Sequence, residues 1–78
     1  MTTVEIEYCV PCGFLERAEN VQHGLLSTFG EQLDAVTLRT GSHGVFTVSV
    51  DGETVFDKTE DDFDVDAIVR AVRPHVRE

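Results

Sequence analysis

The sequence predicts an α/β domain in the order β-α-β-β-β-α, with a four-stranded mixed sheet carrying both helices on one face. Three observations lead there. Val4, Ile6 and Tyr8 alternate with Glu5 and Glu7, the period of a half-buried strand. Apolar residues from Phe14 to Phe29 recur at helical spacing, and a second such stripe closes the chain. Between them the pair Asp51-Gly52 separates two β-rich runs, a strong hairpin signal because both residues tolerate positive φ. At 78 residues the chain has room for one domain, read as 1–78, around one small core. A hydrophobic fraction of 41% suits a globular chain and argues against disorder.

Each element has its own justification. The first strand runs directly into Cys9. After Pro11, the residues Phe14, Ala18, Val21, Leu25 and Phe29 form one stripe, flanked by Leu15 and Leu26, and Gly30 supplies a stop. That is a helix of about four turns, with Pro11 expected at an early helical position, where its missing N–H would have no partner. Val36 and Leu38 mark a short second strand, and "GSHG" reads as a loop. The run "VFTVSVDGETVF" is the hairpin; its register stays open because Val55 and Phe56 are both apolar. The last helix has its stripe at Val65, Ile68, Val69 and Val72, a cap at Asp62 or Asp64, and Arg70 and Arg73 at its negative end; Pro74 limits it. A right-handed β-α-β crossover then places both helices on one sheet face. The outline is a reduced thioredoxin-like fold.

Composition narrows the partners. A formal charge of −9 excludes nucleic acid, whose phosphates need clustered Lys and Arg, and disfavours anionic membranes. No apolar run approaches the roughly 20 residues of a membrane helix and no leader pattern follows Met1, so a cytoplasmic protein is expected. Residues 51–66 hold eight acidic side chains and a single lysine, the only lysine in the chain. Such a surface predicts adaptation to concentrated salt; an acidic docking face for a basic partner is the alternative.

The stretch "EYCVPCGF" contains the chain's only two cysteines, Cys9 and Cys12. They fall where the first strand enters the first helix. Unpaired N–H groups and the positive end of the helix dipole favour a thiolate there. Two intervening residues let one thiol resolve a mixed disulfide formed on the other, with no cofactor. Three readings remain open at this point. Redox exchange is one. A zinc site is another, needing further ligands from His23, His43 or His75, or a dimer pooling two CxxC pairs. The third is a structural staple, or a noncatalytic interaction module using the same cysteines, although so short a loop constrains the unfolded chain little. Other motifs fall away. "DFDVD" lacks the Gly and the final Glu of a calcium loop, having Ala67 and Arg73 there, and no helix start follows "GSHG" to make a phosphate loop. Arg70, Arg73 and Arg77 read as solvated, dipole-matched side chains, with a small anion patch as the alternative.

The runs "EYCVPCGFLERAENV", "LLSTFG" and "GVFTVSVDGETVFDK" together resemble the selenoprotein W-like (Rdx) family of thioredoxin-like proteins, over nearly the whole chain. The resemblance implies a small cytosolic redox protein working with protein thiols or glutathione. It puts Cys9 at the first motif position and Cys12 where some members carry selenocysteine. Two departures stand out. Thioredoxin proper has a cis-proline before its third strand, whereas this chain offers His43-Gly44 there. Where the family tends to show Gly-x-Phe-Pro before its last helix, this chain reads "DDFDV", with only Phe63 matching. By thioredoxin logic the first cysteine is the more exposed, so Cys9 is expected to attack and Cys12 to resolve; family logic points the other way.

Overall fold

In the computed structural model, which describes residues 2–58 and 63–76, strand β1 (Thr3–Cys9) is flanked by two others. It pairs in parallel with β2 (Ala35–Gly41), Thr3 facing Ala35 and Cys9 facing Gly41. On its other side it pairs antiparallel with β3 (Phe46–Val50), Val4 facing Val50 and Tyr8 facing Phe46. An antiparallel β4 (Glu53–Asp57) completes a mixed sheet of order β2-β1-β3-β4. Helix α1 (Leu15–Phe29) connects β1 to β2, and α2 (Val65–Val72) follows β4. The order β-α-β-β-β-α is the one the residue pattern predicts.

Alternation along the strands decides which face is covered. Val4, Ile6 and Tyr8 on β1 and Phe46, Val48 and Val50 on β3 turn to one side, where they meet Ala18, Val21, Leu25 and Phe29 of α1 and Ile68 and Val72 of α2. Both helices therefore share that face. The opposite face is polar, carrying Glu5, Glu7, Thr37, Arg39, Thr47 and Ser49. Gly24 sets the distance between the helices: a Cβ there would come within 3.1 Å of Val65 Cγ1.

The hairpin resolves the register that the sequence left open. Asp51 (φ 52°) and Gly52 (φ 89°) both occupy the left-handed region, the geometry of a two-residue type I′ turn. Ser49 faces Thr54, but Val48 faces Phe56, so Val55 is the extra residue of a β-bulge. The bulge turns Phe56 into the core, 4% exposed, and leaves Val55 at its margin.

Three expectations need correction. Pro11 does not open α1: it lies in the turn that precedes the helix, and Phe14 is the cap residue, with no side-chain cap bond. Pro suits the second position of a turn as well as the first of a helix, and Gly13 at φ 78° breaks the helical path. Leu15 and Leu26 lie on the rim of the apolar stripe and are 48% and 44% exposed. The second strand is longer than Val36 and Leu38 alone suggest, because β1 supplies a ladder partner for all seven residues. At α2, the Asp64 carboxylate caps the helix by accepting from the N–H groups of Asp66 (2.9 Å) and Ala67 (3.5 Å). Asp62, the other cap candidate, and Arg77 lie outside the described residues. Among those residues no helix is long and apolar enough to cross a membrane.

Candidate functional site

The site begins where β1 ends. Because β1 lies between β2 and β3, the chain from Gly41 to Phe46 must pass over the C-terminal end of β1. It is strapped down there by two main-chain bonds: the Cys9 N–H donates to the Val45 carbonyl (2.8 Å), and the Val10 N–H donates to the Gly41 carbonyl (3.1 Å). The strap is close-fitting. A Cβ on Gly41 would lie 2.7 Å from Val45 Cγ1 and 2.9 Å from Glu7 Oε2, so only glycine fits without a shift.

The chain then reverses. The Gly13 N–H donates to the Val10 carbonyl (3.1 Å), closing a turn with Pro11 at its second position, and the Phe14 N–H donates to the Cys9 carbonyl (3.3 Å). The turn brings the Cα atoms of Cys9 and Cys12 to 5.3 Å, and the two sulfurs are joined in a disulfide. The two halves of this bond face different surroundings. Cys9 is fully buried beneath the strap, whereas Cys12 is exposed on the turn. The expectation that the first cysteine is the more accessible is thereby reversed: the β2–β3 connection covers the first sulfur, and the reversal at Gly13 lifts the second away from the sheet. Val10 and Leu15, which flank the turn in sequence, are both exposed, Val10 at 50%.

His43 occupies the crest of the strap at φ 63°, followed by Gly44 at φ 77°; no peptide bond among the described residues is cis. Its Nδ1 is 2.9 Å from Ser42 Oγ. Of the other zinc-ligand candidates, His23 lies beside Ser27 on α1, and His75 falls in the 3-10 turn after α2. No group of three or more His, Cys, Asp or Glu gathers among the described residues.

Two residues the sequence reading did not assign also lie here. Arg17 Cζ sits 4.9 Å from the centroid of the Phe14 ring, and Lys58 Nζ sits 5.4 Å from that same centroid. Arg17 was accessible to sequence reasoning, since residues three apart on a helix are neighbours. Lys58 was not, because only the β3–β4 pairing carries it to the end of the sheet that holds Cys12. Of the arginines grouped as a possible anion patch, Arg73 lies over the Phe29 ring at 5.3 Å.

Comparison with known proteins agrees with this construction. The profile of the Rdx family matches residues 3–74. A crystal structure of a protein from Bordetella parapertussis superposes with a TM-score of 0.89 at 33% identity, covering 95% of this chain and 96% of that one. A selenoprotein W-related protein from Vibrio cholerae superposes at 0.90 with 23% identity, covering 97% and 98%, a likeness of fold. No curated protein matches the chain. A disulfide-bonded CxxC at the end of β1 is consistent with a redox-type thiol protein, its thioredoxin-like fold is shared with the selenoprotein W-related protein, and with the profile matching almost end to end, the chain belongs to the Rdx family.

Proposed function

We propose that this domain performs thiol–disulfide exchange, with Cys12 as the attacking sulfur and Cys9 as the resolving one. The observation that carries the assignment is the contrast in exposure across the pair: Cys12 is open to solvent, Cys9 fully buried. In the reduced protein the Cys12 thiolate attacks one sulfur of a substrate disulfide; a Cys12 mixed disulfide forms and one substrate thiolate leaves. Cys9 then gives up its proton and attacks Cys12 Sγ, releasing the second substrate thiolate and restoring the Cys9–Cys12 disulfide. The protein dithiol loses two electrons and the substrate disulfide gains them. A dithiol, or two equivalents of a monothiol such as glutathione, run the sequence backwards to regenerate the protein. The partners in this reading are protein thiols or glutathione in a reducing, cytoplasmic setting. Its acidic surface fits a salt-rich one.

The reading is tested by counting thiols. The purified protein is expected to lose two titratable thiols in excess oxidised glutathione and to recover them with dithiothreitol, at a potential within about −270 to −120 mV. A Cys9→Ser variant is expected to stop at a stable 1:1 mixed disulfide, since the resolving thiol is gone. If both thiols stay free under oxidation, or if stoichiometric zinc is bound to them, the exchange reading is wrong.

A further inference from the structure

The chain carries 15 acidic residues against six lysines and arginines, yet two of those six cations meet at the ring of Phe14, two residues after Cys12. Arg17 and Lys58 lie 4.9 Å and 5.4 Å from the centroid of one ring, Phe14, and Arg17 also lies 5.5 Å from the centroid of Phe63. The platform beneath them is fixed. Phe14 and Phe63 each meet buried Phe46 edge to face, with centroids 6.1 Å and 5.4 Å away. The Lys58 N–H donates to the Phe46 carbonyl (3.0 Å), so the ladder of β4 runs one residue beyond Asp57 and alternation turns Lys58 to the side of Phe56 and the helices. Phe14 in turn stands two residues after Cys12 and holds the Cys9 carbonyl through its own N–H.

Contact with a ring face positions a cation without neutralising it. Among the described residues, the Arg39–Glu5 ion pair lies on the polar face of the sheet and involves neither Arg17 nor Lys58. Two like charges on one ring repel each other, and an anion bound beside them relieves that repulsion.

Resting on the exchange reading above, we infer that Arg17 and Lys58 form an anion subsite beside Cys12 that selects small disulfides and thiols bearing a carboxylate near the sulfur. Two cations match one or two carboxylates. An extended acidic protein surface fits less well, because the remaining charge of this chain repels it at longer range. The subsite therefore acts against the global charge: a net of −9 on its own attracts cationic substrates.

That opposition makes the inference testable with three small disulfides: 3,3′-dithiodipropionate (anionic), bis(2-hydroxyethyl) disulfide (neutral) and cystamine (cationic). Their reduction by the reduced protein is followed as second-order rate constants at low ionic strength. The expected order is anionic over neutral over cationic, with about a three- to tenfold advantage for the anionic over the neutral compound. The advantage should shrink in molar KCl. It should fall to one or below in the Arg17→Gln, Lys58→Gln double variant and persist in Arg17→Lys, the ratio within each variant cancelling any general loss of reactivity. If cystamine is fastest, or if the anionic-to-neutral ratio ignores both salt and the double variant, the inference is overturned while exchange itself stands. If none of the three is reduced, the exchange reading falls with it.

Discussion

Cys9 and Cys12 are chemically identical and three positions apart, and only their surroundings distinguish them. Cys12 sits on an exposed turn near the start of α1, whose first N–H groups favour a thiolate. Cys9 has lost its solvent to the strap from Gly41 to Phe46, and burial disfavours the charged form of a thiol. We therefore expect the Cys9→Ser variant, which keeps Cys12, to be alkylated by iodoacetamide at neutral pH at least about tenfold faster than Cys12→Ser, and to show the lower thiolate pKa in a rate–pH profile. Equal rates, or the reverse order, would return the attacking role to Cys9. The sequence placed both cysteines correctly at the end of the first strand. It misjudged their exposure because the cover over Cys9 depends on which strands flank β1, a matter of long-range pairing that no local spacing encodes.

Among the elements, the β3–β4 hairpin shows how far local chemistry reaches. Asp51-Gly52 dictates a two-residue turn through its positive φ values, and that much was legible. The bulge at Val55 was not, since two adjacent apolar residues satisfy either register until Phe46 and the helices claim Phe56. The turn also anchors the start of β1: the Asp51 carboxylate accepts the Thr3 N–H (3.0 Å), and the Asp51 N–H donates to the Thr3 carbonyl (2.9 Å). Asp51→Ala loses the side-chain acceptor and strains a left-handed residue, so it is expected to cost about 1–2 kcal/mol in denaturant unfolding. Asp51→Asn keeps an acceptor and tolerates the conformation, and should stay within about 0.5 kcal/mol of the parent. A similar loss in both variants would show that the charge, rather than the turn, is what matters. The start of α2 was legible for the same local reason as the turn, a short carboxylate in reach of the first free N–H groups. The start of α1 was not, because Pro11 serves a helix and a turn equally and Gly13 decides between them.

At the scale of the whole molecule, charge is the dominant property. Most described carboxylates are exposed, and the Arg39–Glu5 pair spans 3.4 Å with side chains 64% and 45% exposed, too open to the solvent to offset a net of −9. Self-repulsion in the folded state should therefore be relieved by screening. The thermal midpoint is expected to rise by about 5–10 °C between low salt and molar KCl, equivalent to roughly 1–2 kcal/mol for a domain of this size. A flat or falling trend would remove salt adaptation as the reason for the acidic surface. The strap over β1 has a different consequence, for folding rather than for catalysis. Cys9 is covered only when β2 and β3 are both docked on β1, so in the reduced protein its thiol is shielded by contacts between segments far apart in the chain. Labelling of Cys9, with Cys12 replaced, then proceeds only through openings that detach that connection, and its rate measures how often they occur. The buried sulfur is in this sense a built-in gauge of the domain's cooperativity, reporting the integrity of three strands from a single atom.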